Sequence, residues 1–421
     1  MIYLHVPFCR SFCTYCDFYS EIACRGRDAQ AFASYADAVC AEIARRRAEI
    51  DATRDLDTLY IGGGTPSVLP LSLLRKIVIT LLRADEVVDR GAFPPEPPAS
   101  LRSDTLCQQD CQRVLTGGGG QAEPELVFRE PKNNSGPPVR RTPPPAGAFS
   151  EFTMEVNPED IVEKGADYVR GLRELGVNRI SMGVQSLDDG ILRWMNRRHD
   201  ATHARQAFRI LREAGVGNIS IDLIFGLSQL SEAILAQTLD EVLEWHPEHI
   251  SAYQLSIEEG SALARLVRDG RYAEAPQEQC AAQYALLCQR LREAGYVHYE
   301  ISNWALPGRE AIHNSAYWTR HPYVGLGPGA HSFDGRVRSW NEENVPDYAT
   351  GGRETLSEAE AREEQIFLGL RTARGIPEAW LEAEAAAAAL AEGRLVRLSE
   401  GRIRLPEDHW FVSDDILAEL I

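Results

Sequence analysis

The chain has no uninterrupted run of about 18 apolar residues, the length a membrane-spanning helix needs. Met1 does not open a basic stretch leading into an apolar one. The short apolar segment 2–6 follows at once, so no secretory signal and no integral membrane segment are expected, and the cytoplasm is the default compartment. Basic residues are in deficit: 44 Lys and Arg stand against 62 Asp and Glu, a net charge of −18. That balance argues against electrostatic binding of nucleic acid and against a basic membrane-surface patch. Cysteine is scarce, nine in 421 residues, an odd number without framework spacing. In a chain without a secretion signal such thiols are expected to be free or ligating rather than paired. A hydrophobic content of 44% leaves a globular chain long enough for one large domain and a smaller one.

Three of the cysteines are concentrated. Cys9, Cys13 and Cys16 stand at C-x3-C-x2-C directly after the 2–6 segment, a spacing expected about 0.004 times by chance in such a chain. One short loop thus offers three thiolates. A structural zinc site wants four closed ligands, and no second Cys or His pair stands nearby. A cubane iron–sulfur cluster takes thiolates at its iron corners, and three of them leave one iron open to a small ligand.

The rest of the chain reads as alternating strands and helices. Apolar runs at 2–6, 56–61, 152–156, 178–184, 219–225 and 249–255 read as strands. Helical periodicity follows them at 29–50, 71–83, 160–175, 203–213, 235–245 and 277–293, the first with an exposed face carrying Arg45, Arg46 and Arg47. Six such units imply an α/β fold with a parallel sheet and right-handed crossovers. The chemistry-bearing residues gather at or near strand C-terminal ends, where such sheets bind ligands. The cysteine loop follows the first strand and Gly62-Gly63-Gly64-Thr65-Pro66 the second. Glu155 and Gln185 close the third and fourth. A strand-end carboxylate such as Glu155 suits an ammonium, a sulfonium or ribose hydroxyls. Asp222 stands alone in the apolar run of the fifth strand, and a buried acid needs a partner. The glycines fit neither G-x-G-x-x-G nor a P-loop.

Between 89 and 150 the pattern is interrupted by a Pro/Gly-rich stretch, which reads as a disordered insertion in a surface loop. Cys107 and Cys111 inside it are spaced C-x3-C, without further ligands beside them. After 305 the alternation stops. His313-Asn-Ser-Ala-Tyr317-Trp318 puts an imidazole, a phenol and an indole within six residues, and 325–331 reads as a glycine-rich turn. Imidazole and phenolate are heme axial ligands, and aromatic faces stack on a macrocycle. A helix from Glu358, an Ala-rich helix at 383–391 and a hairpin at 395–405 then read as a small winged-helix-like domain.

The string Tyr3-Leu-His-Val-Pro-Phe-Cys9, with Cys13-Thr-Tyr15-Cys16-Asp-Phe18, resembles the cluster loop of the radical S-adenosylmethionine (SAM) superfamily. Within it the resemblance is to the oxygen-independent coproporphyrinogen III oxidase (HemN-like) family, and most of all to its heme chaperone branch, HemW. That resemblance implies a partial (β/α)6 barrel over residues 1–305 and a HemN-type C-terminal region over 306–421. It implies a [4Fe-4S] cluster on Cys9, Cys13 and Cys16, with SAM on the open iron. SAM-contacting positions matching the family are Tyr3, Tyr15, Gly63, Gly64, Thr65, Glu155, Gln185, Arg197 and Asp222. The His-Asn-x-x-Tyr-Trp string resembles the heme-binding motif of the chaperones and implies heme contacts from His313 and Tyr317. Two functions are on offer. A chaperone would bind heme and deliver it to apo-hemoproteins. A dehydrogenase would cleave SAM to a 5′-deoxyadenosyl radical and oxidatively decarboxylate two propionates of coproporphyrinogen III. The dehydrogenase pattern has a fourth Cys where this chain has Phe18, and about fifty residues before the loop where this chain has eight. Both features favour the chaperone. The oligomeric state is left open.

Overall fold

The computed structural model describes residues 1–23, 28–82, 149–345 and 348–420. Most of the 89–150 stretch, with Cys107 and Cys111, lies outside these residues. Its last two residues lie inside and pack into the fold. Phe149 is buried edge-on to Phe152, and the Ser150 N–H donates to Asp57 O at 2.8 Å.

β1 (Ile2–Val6) leads into two short paired strands, β2 (Phe8–Cys9) and β3 (Glu21–Ile22), that flank the cysteine loop. β4 (Thr58–Gly63), β5 (Glu151–Val156), β6 (Arg179–Gln185), β7 (Ile219–Phe225) and β8 (His249–Gln254) complete the six expected parallel strands. They run side by side in chain order β1-β4-β5-β6-β7-β8, joined by helices as crossovers require.

The sheet is larger than the six units. β9 (Val297–Glu300) and β10 (Asn303–Ala305) add an antiparallel edge beyond β8. β11 (Val324–Leu326) pairs in parallel with β1 at the opposite edge. The segment read as a glycine-rich turn therefore begins as a strand, too short to show an alternating pattern.

The first helix also differs from its reading. It breaks at Arg46 into Asp28–Arg45 and Arg47–Ala52, because Arg46 turns inward rather than facing solvent. Its guanidinium donates to Glu42, to Gly325 O at 2.7 Å and to Ser332 Oγ at 2.9 Å. Glu42 in turn, 1% exposed, accepts from Gly327 N–H, Asn341 Nδ2 and the Tyr348 hydroxyl at 2.8–2.9 Å. One buried carboxylate thus binds the N-terminal helix to the C-terminal segment. The helix Pro158–Glu174 starts at the Asn157 cap and is broken at Gly165 by a positive φ of 69°.

After the sheet, β12 (His331–Phe333), β13 (Val337–Asn341) and β14 (Thr350–Thr355) form an antiparallel sheet. The helix Glu358–Leu370, opened by a Ser357–Glu360 capping box, leads to β15 (Ile376–Pro377). The helix Ala383–Ala391 and the hairpin of β16 (Val396–Arg397) and β17 (Arg402–Arg404) follow, in sheet order β15-β17-β16. No helix among the described residues is long and apolar enough to cross a membrane.

β6 shows how the sheet divides its faces. Ile180, Met182 and Val184 are buried in the apolar core. Burying each aliphatic side chain contributes about 1.5–3 kcal/mol. The alternate residues Arg179, Ser181, Gly183 and Gln185 line a cavity on the other face.

Candidate functional site

The cavity measures about 640 Å³ and opens at the C-terminal ends of the parallel strands. Cys9, Cys13, Cys16, Tyr15, Gly63, Gly64, Thr65, Glu155, Gln185, Arg197 and Asp222 all line it. Tyr3, His313 and Tyr317 do not.

The cysteine loop is held from several sides. Thr14 donates its N–H to Met195 O at 3.0 Å and its hydroxyl to Trp194 O at 2.8 Å, and it accepts the Leu263 N–H at 2.8 Å. Asn196, at a positive φ of 56°, turns its amide to Phe12 O at 2.7 Å. The same turn delivers Arg197, which donates to Cys13 Sγ at 3.4 Å and to Gly183 O at 2.7 Å. Burial opposes the charge of Arg197, but Cys13 and Tyr15 beside it hold its pKa above the ordinary value. Burial also raises the thiol pKa values of Cys9 and Cys16, the latter to about 12. Metal binding would have to displace these protons.

The glycines bring β4 against this loop. Gly64 N–H donates to Val6 O at 2.8 Å and Thr65 N–H to Phe8 O at 2.7 Å. A Cβ on Gly64 would meet Phe8 O at 2.8 Å. Gly63 holds φ of 108° with the His5 ring 2.6 Å from where its Cβ would be. Gly62 and Gly63 lie inside β4, so the strand runs two residues beyond the apolar run at 56–61. Thr65 Oγ1 then comes to 3.4 Å from Cys9 Sγ.

Glu155 accepts from the Tyr60 hydroxyl at 2.7 Å and from Gly63 N–H at 3.2 Å. Burial is the largest influence on it and, with the Asp222 charge, raises its pKa to about 7 against the pull of those bonds. Asp222 finds its partners in hydroxyls, Ser181 Oγ at 2.9 Å and Ser220 Oγ at 3.2 Å, and burial raises its pKa as well. Gln185 sits at φ of 67°, where the β6–β7 register shifts between Gly183 and Gln185. Such a bulge re-aims a side chain and stores strain. Gln185 Oε1 and Arg197 Nε are buried with no hydrogen-bond partner.

The other three sites lie elsewhere. Tyr3 hydrogen-bonds His5 Nδ1 at 3.0 Å. His313, 1% exposed, uses both ring nitrogens: Nδ1 with Thr58 Oγ1 at 2.9 Å, Nε2 with the Tyr317 hydroxyl at 3.1 Å. Glu151, the first residue of β5, accepts the N–H groups of Ile312 and His313 and so caps the helix Ile312–Trp318. The cavity wall also contains Tyr60, Arg179, Ser181, Ser251, Tyr253 and Asn314, which the sequence reading did not single out. The polar residue at every second position of β6 was a signal for several of them.

Residues 110–242 match the radical SAM superfamily. The chain is 31% identical to the heme chaperone HemW of Bacillus subtilis (strain 168), over 89% of this chain and 84% of that one. It is 31% identical to the HemW of Mycobacterium tuberculosis (strain H37Rv), over 96% and 92%. The chain belongs to the HemW/HemN-like family of the radical SAM superfamily. The solved coproporphyrinogen III oxidase (HemN) of Escherichia coli shares this fold, with a TM-score of 0.68 over 99% of this chain and 89% of that one, at 18% identity.

Membership of the radical SAM superfamily implies a [4Fe-4S] cluster and SAM. The donor set fits a cluster better than a single ion. The three loop cysteines do not bring their sulfurs within 4.8 Å of one another as a set, whereas Cys288, His298 and Glu407 elsewhere do converge in this way. A cubane with irons at separate corners needs thiolates spread apart. The unpartnered Gln185 and Arg197 atoms fit a polar ligand beside it. A cluster held there would, when reduced, supply an electron to a ligand on its open iron.

Proposed function

We propose that this protein is a heme chaperone that carries a SAM-coordinating [4Fe-4S] cluster and delivers heme to apo-hemoproteins in the cytoplasm. The observation that carries this reading is the similarity to proteins named HemW along nearly the whole chain. In it Cys9, Cys13 and Cys16 hold the cluster. Gly63, Gly64, Thr65, Glu155, Gln185, Arg197 and Asp222 receive SAM. The sheet is a partial barrel, and the segment after residue 357 is a winged-helix-like unit for partner contact. Phe12 and Phe18 support a flat ligand at the cavity rim, since both line it and are 52% and 68% exposed. His313 and Tyr317 are bonded to each other, so His313 reaches a heme iron through Nε2 only by giving up that bond.

The test is anaerobic, on protein with its cluster reconstituted. Coproporphyrinogen III, SAM and a reductant are supplied, and heme is titrated in parallel at the Soret band. Saturable one-to-one heme binding without decarboxylation is the expected result. Turnover to protoporphyrinogen would make the protein a dehydrogenase instead.

A further inference from the structure

Arg179 is the first residue of β6, and its side chain lines the cavity. The residue is 1% exposed. Its Nε is buried without a hydrogen-bond partner, and among the described residues no carboxylate lies within 4.0 Å of the guanidinium to form an ion pair. Thr153, its register partner on β5, likewise has a buried hydroxyl without a partner. Asp222 on the same cavity wall feels the Arg179 charge but forms no ion pair with it, and a buried guanidinium without a paired carboxylate is unfavourable unless something else completes it. The glycine cradle and cysteine loop are at the far end of the strands. Six residues separate Arg179 from Gln185, about 20 Å along the strand.

We propose that Arg179 anchors a carboxylate of the ligand that fills this cavity. A guanidinium presents two parallel N–H donors that match a carboxylate. Ser181, Ser251 and Asn314 line the same wall and offer hydroxyl and amide groups to the remaining lone pairs. Asp222, also on this wall, disfavours a doubly charged phosphate and leaves a singly charged carboxylate as the matching group. A tetrapyrrole carries one on its propionate arm, and that source rests on the heme-chaperone reading. SAM, held at the far end of the strands by the cysteine loop and the glycines, is the control.

The experiment compares wild type, Arg179→Gln and Arg179→Lys as full-length protein with the cluster reconstituted. The probes are coproporphyrin III and its tetramethyl ester, followed by fluorescence, and SAM, followed by equilibrium dialysis. Arg179→Gln weakens the carboxylate-bearing ligand by about ten-fold or more, Arg179→Lys by less, and the ester is unaffected. A loss confined to SAM, or unchanged affinity for coproporphyrin, overturns the anchor. If wild type binds no coproporphyrin, the heme-chaperone reading fails and the anchor with it; if wild type binds it and Arg179→Gln binds it equally, the anchor alone fails. Without ligand, Arg179→Gln keeps the far-ultraviolet dichroism of wild type. A lower melting temperature with unchanged affinities would make Arg179 a structural residue and refute the proposal.

Discussion

Replacing Glu155 by Gln separates what this carboxyl costs the fold from what it offers a ligand. Burial is the main cause of its raised pKa. The Tyr60 and Gly63 bonds oppose the rise, the Asp222 charge adds to it, and the result is about 7 against an ordinary 4.5. The unfolded chain releases this proton near 4.5 and the folded chain near 7, so the folded state holds an extra proton in between. The stabilising contribution is complete below the lower value and is lost as pH rises through the upper one. At about 1.4 kcal/mol per pH unit, wild type loses about 2–3 kcal/mol between about pH 5 and pH 8 through this group. Glu155→Gln loses none of it. The amide faces either Tyr60 O–H or Gly63 N–H with a donor, which costs about 1–2 kcal/mol at every pH. The difference between variant and wild type therefore shifts in the variant's favour by about 2–3 kcal/mol from low to high pH. Urea unfolding of cluster-free protein, followed by circular dichroism across this range, measures it. Parallel pH profiles for the two proteins would refute the reasoning. With the cluster reconstituted, the same variant binds SAM about ten-fold or more weakly at the upper pH.

Other residues give sharper single outcomes. Alanine at Cys9, Cys13 or Cys16 abolishes most of the reconstituted iron, read by iron content per chain, while far-ultraviolet dichroism stays that of wild type. Glu42→Ala takes from Arg46 one of its two carboxylate partners and removes an acceptor from Gly327, Asn341 and Tyr348, and lowers stability by about 2–4 kcal/mol in urea titration. Gly325→Ala drives a methyl into the His331 backbone and costs about 2 kcal/mol or more, seen as a lower melting temperature. His313→Ala leaves Thr58 and Tyr317 unpaired around a new cavity and costs about 2–4 kcal/mol by the same measurement. If heme titration is nonetheless unchanged in this variant, His313 is a packing residue only.

The site was legible where chemistry is compressed in sequence. Three cysteines within eight residues, a glycine run after an apolar strand and a lone Asp222 in a hydrophobic segment each stand out locally. All of these line one cavity. Arg179 and Tyr60 do not stand out in the sequence, although they alternate with apolar neighbours on β6 and β4. Their significance depends on which face of the strand holds the cavity. His313 and Tyr317 show the opposite failure. Their pattern was conspicuous, but the Glu151 cap and the Thr58 bond, which place them away from the cavity, come from β5 and β4, more than 150 residues earlier.

The order of strands and helices was set by local periodicity, because whether a segment repeats every two or every 3.6 residues is decided within a dozen positions. The cluster loop was set likewise, since its three thiols lie on one short stretch. Tertiary structure alone decided the edges of the sheet, where β11 and β10 are three residues long and carry no readable period. It alone turned Arg46 inward and gave Glu42 its partners, because those hydrogen bonds join residues nearly three hundred positions apart. And it alone left Arg179 buried without an ion pair, since burial and pairing are properties of the surroundings rather than of the residue.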